Sequence, residues 1–357
     1  MQLGFIGLKF SGKSTLFELL TRGKYESVHT GMAEYNRGQV TVPDERVQRL
    51  SQMYRPKKTT YAHFDCIDVM GLPAGMRSDQ ASKYLEAVRQ TDSLVAVIQV
   101  FEGYNAGGEP FRIDPVKNLQ ELEGDLIFAD LLVAETRLEK VRHLQARSAT
   151  QFDPRELALL EKCRDALEND TPLRNIDLMP EEDKRIRGFQ FLSRKPLMAV
   201  LNCDEVHYER RGEYGSRFAQ AFPDIPVTAV SALAEKEIQE LEEDERALFM
   251  EEMGIDAPAI DHVISTAYAA FGLISFFTVG DDEVRAWTLR AGAKAPEAAG
   301  EIHTDLQKGF IRAEVVRYED LLHEGSFSAA KAGGRVRLEG KDYVVQDGDI
   351  LNIRFNI

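Results

Sequence analysis

The sequence predicts an α/β protein whose leading part is a doubly wound, mostly parallel sheet, and three observations carry that expectation. Short, nearly continuous apolar runs recur at 2–7 (QLGFIG), 64–69 (FDCIDV), 93–101 (SLVAVIQVF) and 197–202 (LMAVLN). Helical stretches separate them, the texture of strands buried on both faces of a sheet. The first run breaks at a glycine, and a helix from Ser14 to Leu20 follows at once. From Phe276 the pattern changes to short β-type runs: FFTV, VRAWTL, FIRAEVV, RVRLEG, DYVVQ and DILNIRFNI. Gly and Asp turns punctuate them, so a separate, small β-rich domain is expected there.

The bulk numbers agree. At about 150 residues per domain, 357 residues suggest two or three domains, and 43% hydrophobic content can fill their cores. Lys and Arg total 44 against 59 for Asp and Glu, a formal charge of -15. That balance opposes broad, non-specific nucleic-acid binding but leaves a local docking site on RNA open. Residues 273–357 hold 11 Lys and Arg against 14 Asp and Glu, so no basic RNA-binding footprint stands out. Three scattered cysteines make neither a disulfide framework nor a metal cluster. No secretory leader and no run of about 18 apolar residues is present, which leads to the expectation of a soluble, cytoplasmic protein without a membrane partner.

Residues 118–192 differ from the flanking sheet sequence. Leu119, Leu122, Leu126, Ile127, Leu131, Val133, Leu138 and Val141 recur at helical spacing among many charges. A turn at 148–153 and a second helix from Pro154 to about Glu168 complete an expected antiparallel hairpin. Such an insert either links two strands or meets a partner. Residues 233–271 read as helical again, with an acidic start.

The chemistry is concentrated in one loop. Gly7-Leu8-Lys9-Phe10-Ser11-Gly12-Lys13-Ser14 satisfies G-x-x-x-x-G-K-[ST] between a strand and a helix. Backbone N–H groups of such a loop converge on phosphates, and the helix N-terminus adds positive potential. Gly7, Lys9, Phe10, Ser11, Gly12, Lys13, Ser14 and Thr15 are the candidate phosphate contacts. Lys13 is expected to neutralise the β and γ phosphates and Ser14 to ligate Mg²⁺. Asp68, in Asp68-Val69-Met70-Gly71 at a strand end, is expected to hold the metal through water, with the Gly71 N–H sensing the γ phosphate. Thr30 is the candidate for a third metal ligand; a plain polar loop would read the same way.

The base pocket is expected at the end of LMAVLN. In GTPases an Asn-Lys-x-Asp motif stands there, and its Asp carboxylate accepts both guanine N–H donors. Here the residues are Asn202-Cys203-Asp204-Glu205, so the last carboxylate sits one methylene further out. A site unable to satisfy guanine's donors loses discrimination. The candidate base contacts are Asn202, Cys203 and Glu205, with Ser231 and Ala232 after IPVTAV as a second loop. They lean towards ATP, or mixed ATP and GTP use; an acidic turn without a base-reading role is the plainer alternative. Cys203 is equally well read as a small, inert core thiol.

With these residues in view, the chain resembles the YchF/Obg-like ATPases nearly end to end. NRGQVTVPD at 36–44, the Asn202-to-Glu205 motif, EVRAWTLRAGAKAPEAAGEIHTD, GFIRAEV and LEGKDYVVQDGDILNIRFNI carry the likeness. The resemblance implies a P-loop NTPase domain (1–117 and 193–272), a helical-hairpin insertion (118–192) and a TGS-like β-grasp domain (273–357). It also implies ATP preference and work with ribosomes. The chain departs from the family in its loop, where Lys9, Phe10 and Ser11 replace Pro-Asn-Val. Phe10 thereby removes an asparagine that helps recruit potassium in related GTPases. Met32 stands where the family has its switch threonine, and Leu72 follows Gly71 where many GTPases place a water-orienting Gln. Slow intrinsic turnover is therefore expected, and no catalytic base is assigned. The leading expectation is a Mg²⁺-dependent ATPase switch; a non-hydrolysing nucleotide-sensing adaptor and a true GTPase are the alternatives.

Overall fold

A computed structural model of the chain describes residues 1–29, 34–69, 85–103, 113–147, 152–252 and 258–356. It forms two compact units, Met1–Gly38 with Asp65–Ile260, and Gln39–Phe64 with Asp261–Ile357.

The sheet of the first unit confirms the α/β expectation. Strands β1 (Gln2–Ile6), β2 (Tyr25–His29), β3 (Glu34–Thr41), β5 (His63–Val69), β6 (Ser93–Val100), β7 (Leu197–Cys203) and β8 (Val227–Val230) lie in the order β2-β3-β5-β1-β6-β7-β8. From β5 across to β8 every neighbouring pair with a described register is parallel, while β2 and β3 form an antiparallel edge. The four apolar runs became β1, β5, β6 and β7, and every residue of β7 is buried. Those strands are sandwiched, so no polar alternation survives in them. The β2–β3 edge carries no such run; β2 (YESVH) is mostly polar and mostly exposed, as suits an edge strand. From β1 the chain builds outwards on one side and then returns to β6 on the other. That topological switch point places the loop after β1 at the carboxyl ends of the strands, where open α/β sheets bind ligands.

The insertion is a helix over Pro115–Arg147, about 50 Å long at 1.5 Å per residue, followed by Pro154–Glu168. Asp153 caps the second helix by accepting from the Arg155 N–H at 2.9 Å, and Pro154 fills its first position. Ile127, Ala134, Leu138, Val141, Leu159, Leu160, Cys163 and Leu167 pack the two helices together. Midway along the long helix the fully buried Asp130 carboxylate accepts from the N–H groups of Leu192 (2.9 Å) and Ser193 (2.7 Å). The Ser193 hydroxyl (2.8 Å) and Arg89 Nη1 (3.0 Å) complete its shell. This network ties the helix to the segment that leads into β7. Burial pushes Asp130 above the usual carboxylate range, against Arg89 and the N–H donors, which pull it down.

The second unit has a six-stranded sheet. Its strands are β4 (Lys58–Thr60), β9 (Leu273–Thr278), β10 (Glu283–Arg290), β11 (Phe310–Arg317), β12 (Arg337–Glu339) and β13 (Asp349–Phe355), in the order β12-β11-β13-β9-β10-β4. Its core joins Phe276, Leu289, Val315 and Leu351 to Ala295, Ala298 and Ala299 of the helix Ala295–Ile302. One expected strand is absent. DYVVQ makes only a single bridge, Lys294 to Val344, because its groups tie down the start of that helix: Tyr343 C=O accepts from Ala295 N–H at 2.9 Å. Among the described residues, no helix is long and apolar enough to cross a membrane.

Candidate nucleotide site

The loop after β1 has the backbone its sequence requires. A Cβ on Gly7 would lie 2.6 Å from Ser11 Oγ and 2.8 Å from the Val97 carbonyl of β6, closer than real Cβ atoms approach other groups. Gly12 has φ +81°, and a Cβ there would run into the Asn202 amide. Both positions therefore need glycine, for contact at the first and for contact and conformation at the second. Phe10 also takes the left-handed region, at φ +70°, with its ring 61% exposed and the Lys9 ammonium 5.0 Å from the ring centroid. For an aromatic residue that conformation is strained. The helix Lys13–Thr21 begins directly after Gly12, aiming its unpaired N–H groups at the loop. Ser11 is buried, and its Oγ finds no hydrogen-bond partner among the described residues.

Lys13 and Asp68 meet here, although 55 residues separate them. Both are buried; Lys13 Nζ donates to Asp68 Oδ1 and, at 2.5 Å, to the Val69 carbonyl. Burial pulls the Lys13 ammonium below its ordinary range, while the charge and hydrogen bond of Asp68 oppose that pull. Sequence reasoning missed the Val69 carbonyl, since backbone acceptors leave no trace in side-chain patterns. Ser14 is exposed and Thr15 half-buried at the first turn of the helix. The Ser14 hydroxyl and Asp68 carboxylate are hard oxygen donors of the kind Mg²⁺ takes, so the donor chemistry fits that ion. Thr30 and Gly71 lie outside the described residues, as do Met32 and Leu72.

The base-loop residues divide in an unexpected way. Asn202 is buried and spans two loops: its Nδ2 donates to the Ser11 carbonyl at 2.9 Å, and its Oδ1 accepts from the Ala232 N–H at 3.1 Å. One amide N–H and one carbonyl lone pair are engaged in this bridge. Cys203 packs into the sheet core, and burial raises its thiol to about 12. Asp204 caps the short helix Glu205–Glu209, accepting from His207 N–H at 2.8 Å and pairing with His207 Nδ1 at 2.6 Å. Partial burial pushes the Asp204 carboxyl up, but the His207 contacts outweigh it and hold the group below its usual range. Glu205, the first residue of that helix, is exposed. Ser231 caps the helix Ala232–Glu240, its hydroxyl accepting from the Ala234 N–H at 3.5 Å.

The comparisons with known proteins match this architecture along its full length. A family model named YchF-GTPase_C, described as "Protein of unknown function (DUF933)", matches residues 273–356. The chain is 38% identical over 362 residues to "Ribosome-binding ATPase YchF" of Bacillus subtilis (strain 168), covering 99% of each protein. It is 33% identical over 365 residues to "Obg-like ATPase 1" of Oryza sativa subsp. japonica, covering 100% of this chain and 92% of the rice protein. The solved structure titled "Structure of the Schizosaccharomyces pombe YchF GTPase" superposes with a TM-score of 0.84 at 28% identity. It covers 99% of this chain and 97% of the yeast chain. The full-length identity to these relatives and the full-length superposition place this chain in the YchF/Obg-like ATPase family.

Proposed function

We propose that the protein is a Mg²⁺-dependent ATPase switch of low intrinsic turnover that works on ribosomes. The observation that carries the reading is the meeting of Lys13 and Asp68 at the carboxyl end of the sheet, beside a loop whose glycines are sterically required. Lys13, the loop N–H groups and the helix start would bind the triphosphate. Ser14 and Asp68, with Thr30 as the third candidate, would hold Mg²⁺, which supplies charge neutralisation between the β and γ phosphates. Lys13 is already desolvated, so little water need be stripped from it when phosphate oxygens replace Asp68 as its partners. Gly71 would sense the γ phosphate, and Leu72 beside it has no group to orient water, which is the reason for low turnover. The working domain division is an ATPase domain (1–117, 193–272), a helical hairpin (118–192) and a TGS-like β-grasp domain (273–357).

Relatives bear names containing both "ATPase" and "GTPase". ATP is favoured here because Glu205 reaches one methylene past the position of a guanine-reading carboxylate and lies exposed at a helix start. The ribosome is assigned as partner, and the cytoplasm as location, on the strength of the relatives' names. Calorimetric titration of ATP and GTP with Mg²⁺ tests the reading. ATP preference that Lys13→Ala abolishes supports it; Glu205→Asp should narrow the preference by about tenfold, the effect of one misplaced hydrogen-bonded contact. Binding of neither nucleotide would refute it, and GTP preference would refute the base assignment.

A further inference from the structure

The long helix Pro115–Arg147 carries a stripe that its packing does not use. Residues 121, 124, 125, 128, 132, 135 and 139 fall within about 60° of one another's mean direction at 3.6 residues per turn. In the middle stand Phe128 and Leu132, 44% and 49% exposed, on a helix whose inner face is already filled. Carboxylates bracket them, with Glu121 and Asp125 before and Glu135 and Glu139 after. The nearby guanidinium groups are committed inside the hairpin: Arg137 pairs with Glu156 at 2.6 Å and Arg142 with Glu161 at 2.9 Å. Among the described residues, Lys117 pairs with a carboxylate of the stripe, 3.8 Å from Glu121.

Gly124 is a second, independent observation. A glycine in a helix interior is unfavourable relative to alanine. Its usual justification, close contact with a neighbouring element, is missing, because a Cβ built there meets nothing within 4 Å. Gly124 sits one turn before Phe128 on the same stripe. The result is a shallow notch next to two apolar side chains, a surface on which another backbone can come close.

We propose that this stripe docks a protein segment, an amphipathic helix whose apolar face is flanked by Lys and Arg. The apolar pair would supply the buried anchor and the four carboxylates its rim. RNA is a poor occupant, because its phosphates would face those carboxylates and the stripe offers them almost no cation. Asp125 is consistent with such a surface: burial, then Glu121, raises its carboxyl, so a nearby cation would relieve it. The proposal does not depend on the nucleotide reading, since the stripe shares no residue with that site.

The test is fluorescence anisotropy of the full chain with three labelled probes: a Lys/Leu amphipathic helical peptide, its Glu/Leu counterpart, and a single-stranded RNA oligonucleotide. The Lys/Leu peptide should bind at least about tenfold more tightly than the other two. Phe128→Ser with Leu132→Ser leaves the charge unchanged, so it separates the stripe from general attraction to an acidic protein, and should weaken binding by about tenfold or more. Gly124→Leu should weaken it too while leaving the thermal unfolding temperature unchanged or higher, which excludes misfolding as the cause. Peptide binding insensitive to all three substitutions would overturn the proposal. So would RNA binding that the serine pair abolishes. ATP turnover of the variants should match the parent, so a failed nucleotide reading would show separately.

Discussion

Asn202 and Ser11 lie 191 residues apart in sequence, and the Asn202 amide donates to the Ser11 carbonyl at 2.9 Å. The same amide accepts from the Ala232 N–H, so one buried side chain holds the phosphate loop to the start of the helix Ala232–Glu240. Asn202→Ala leaves a buried carbonyl and a buried N–H without partners. A loss of about 1–3 kcal/mol in stability is expected from those groups. Nucleotide affinity should fall by about tenfold, since a loosened loop must be ordered on binding. Asn202→Asp, which cannot donate to Ser11, should do nearly the same. An unchanged unfolding temperature in both variants would show that the bridge carries no stability.

Phe10 presents the opposite situation, a strained residue that gains little inside the protein. Its left-handed φ costs an L-residue about 1–2 kcal/mol, and its ring is mostly in solvent. Phe10→Gly should therefore stabilise the chain by about 0.5–1 kcal/mol, after allowing for the greater freedom of glycine when unfolded. Phe10→Val, β-branched at a positive φ, should destabilise it. Thermal melts of the two variants check the sign, and a drop for Phe10→Gly would mean the ring or its Lys9 contact matters more than the strain.

Asp130 ought to be among the most sensitive positions away from the candidate site. Asp130→Ala takes the acceptor from two buried N–H groups and the Ser193 hydroxyl and removes the carboxylate partner of Arg89, which keeps only the Gln190 and Ala129 carbonyls, and a loss of about 3–5 kcal/mol is expected. Urea unfolding should show a lower midpoint with an unchanged slope. A loss below about 1 kcal/mol would place the network at the exposed-pair level.

The buried thiols give a pH prediction. Burial raises Cys203 from 9.0 to about 12 and Cys163 from 9.0 to about 11. A folded-state value above the unfolded one means that the unfolded chain loses its proton first. Stability from these groups is complete below pH 9 and declines as pH rises towards 11 and 12. At pH 8 a thiol-specific disulfide reagent should leave all three cysteines, including Cys66, nearly untouched until denaturant is added, since all three are buried. Rapid labelling of Cys203 in the folded protein would contradict its core placement.

Local rules made the phosphate loop legible. Gly7, Gly12, Lys13 and Ser14 fall within one short stretch, 7–14, and the strand and helix around them announce themselves by apolar period over a few residues. The parallel strands were legible for the same reason, because burial on both faces leaves an unbroken apolar run. The long helix and the Asp153 cap likewise follow from spacing and one short polar residue.

What only the tertiary structure decided are pairings between groups that no local pattern relates. β4 joins the sheet of the second unit through Lys58 opposite Glu283, more than two hundred residues away. DYVVQ has a strand's composition, yet its backbone is claimed by the helix start at Ala295. Asn202 reads as a base-loop residue in sequence, and only the fold shows that its amide also bridges two backbone groups brought to it from elsewhere. Side-chain identity states what a residue can donate or accept. Which partner it meets depends on the path of the whole chain, and the cost of leaving a buried polar group unpaired then favours the arrangement in which nearly all partners are present.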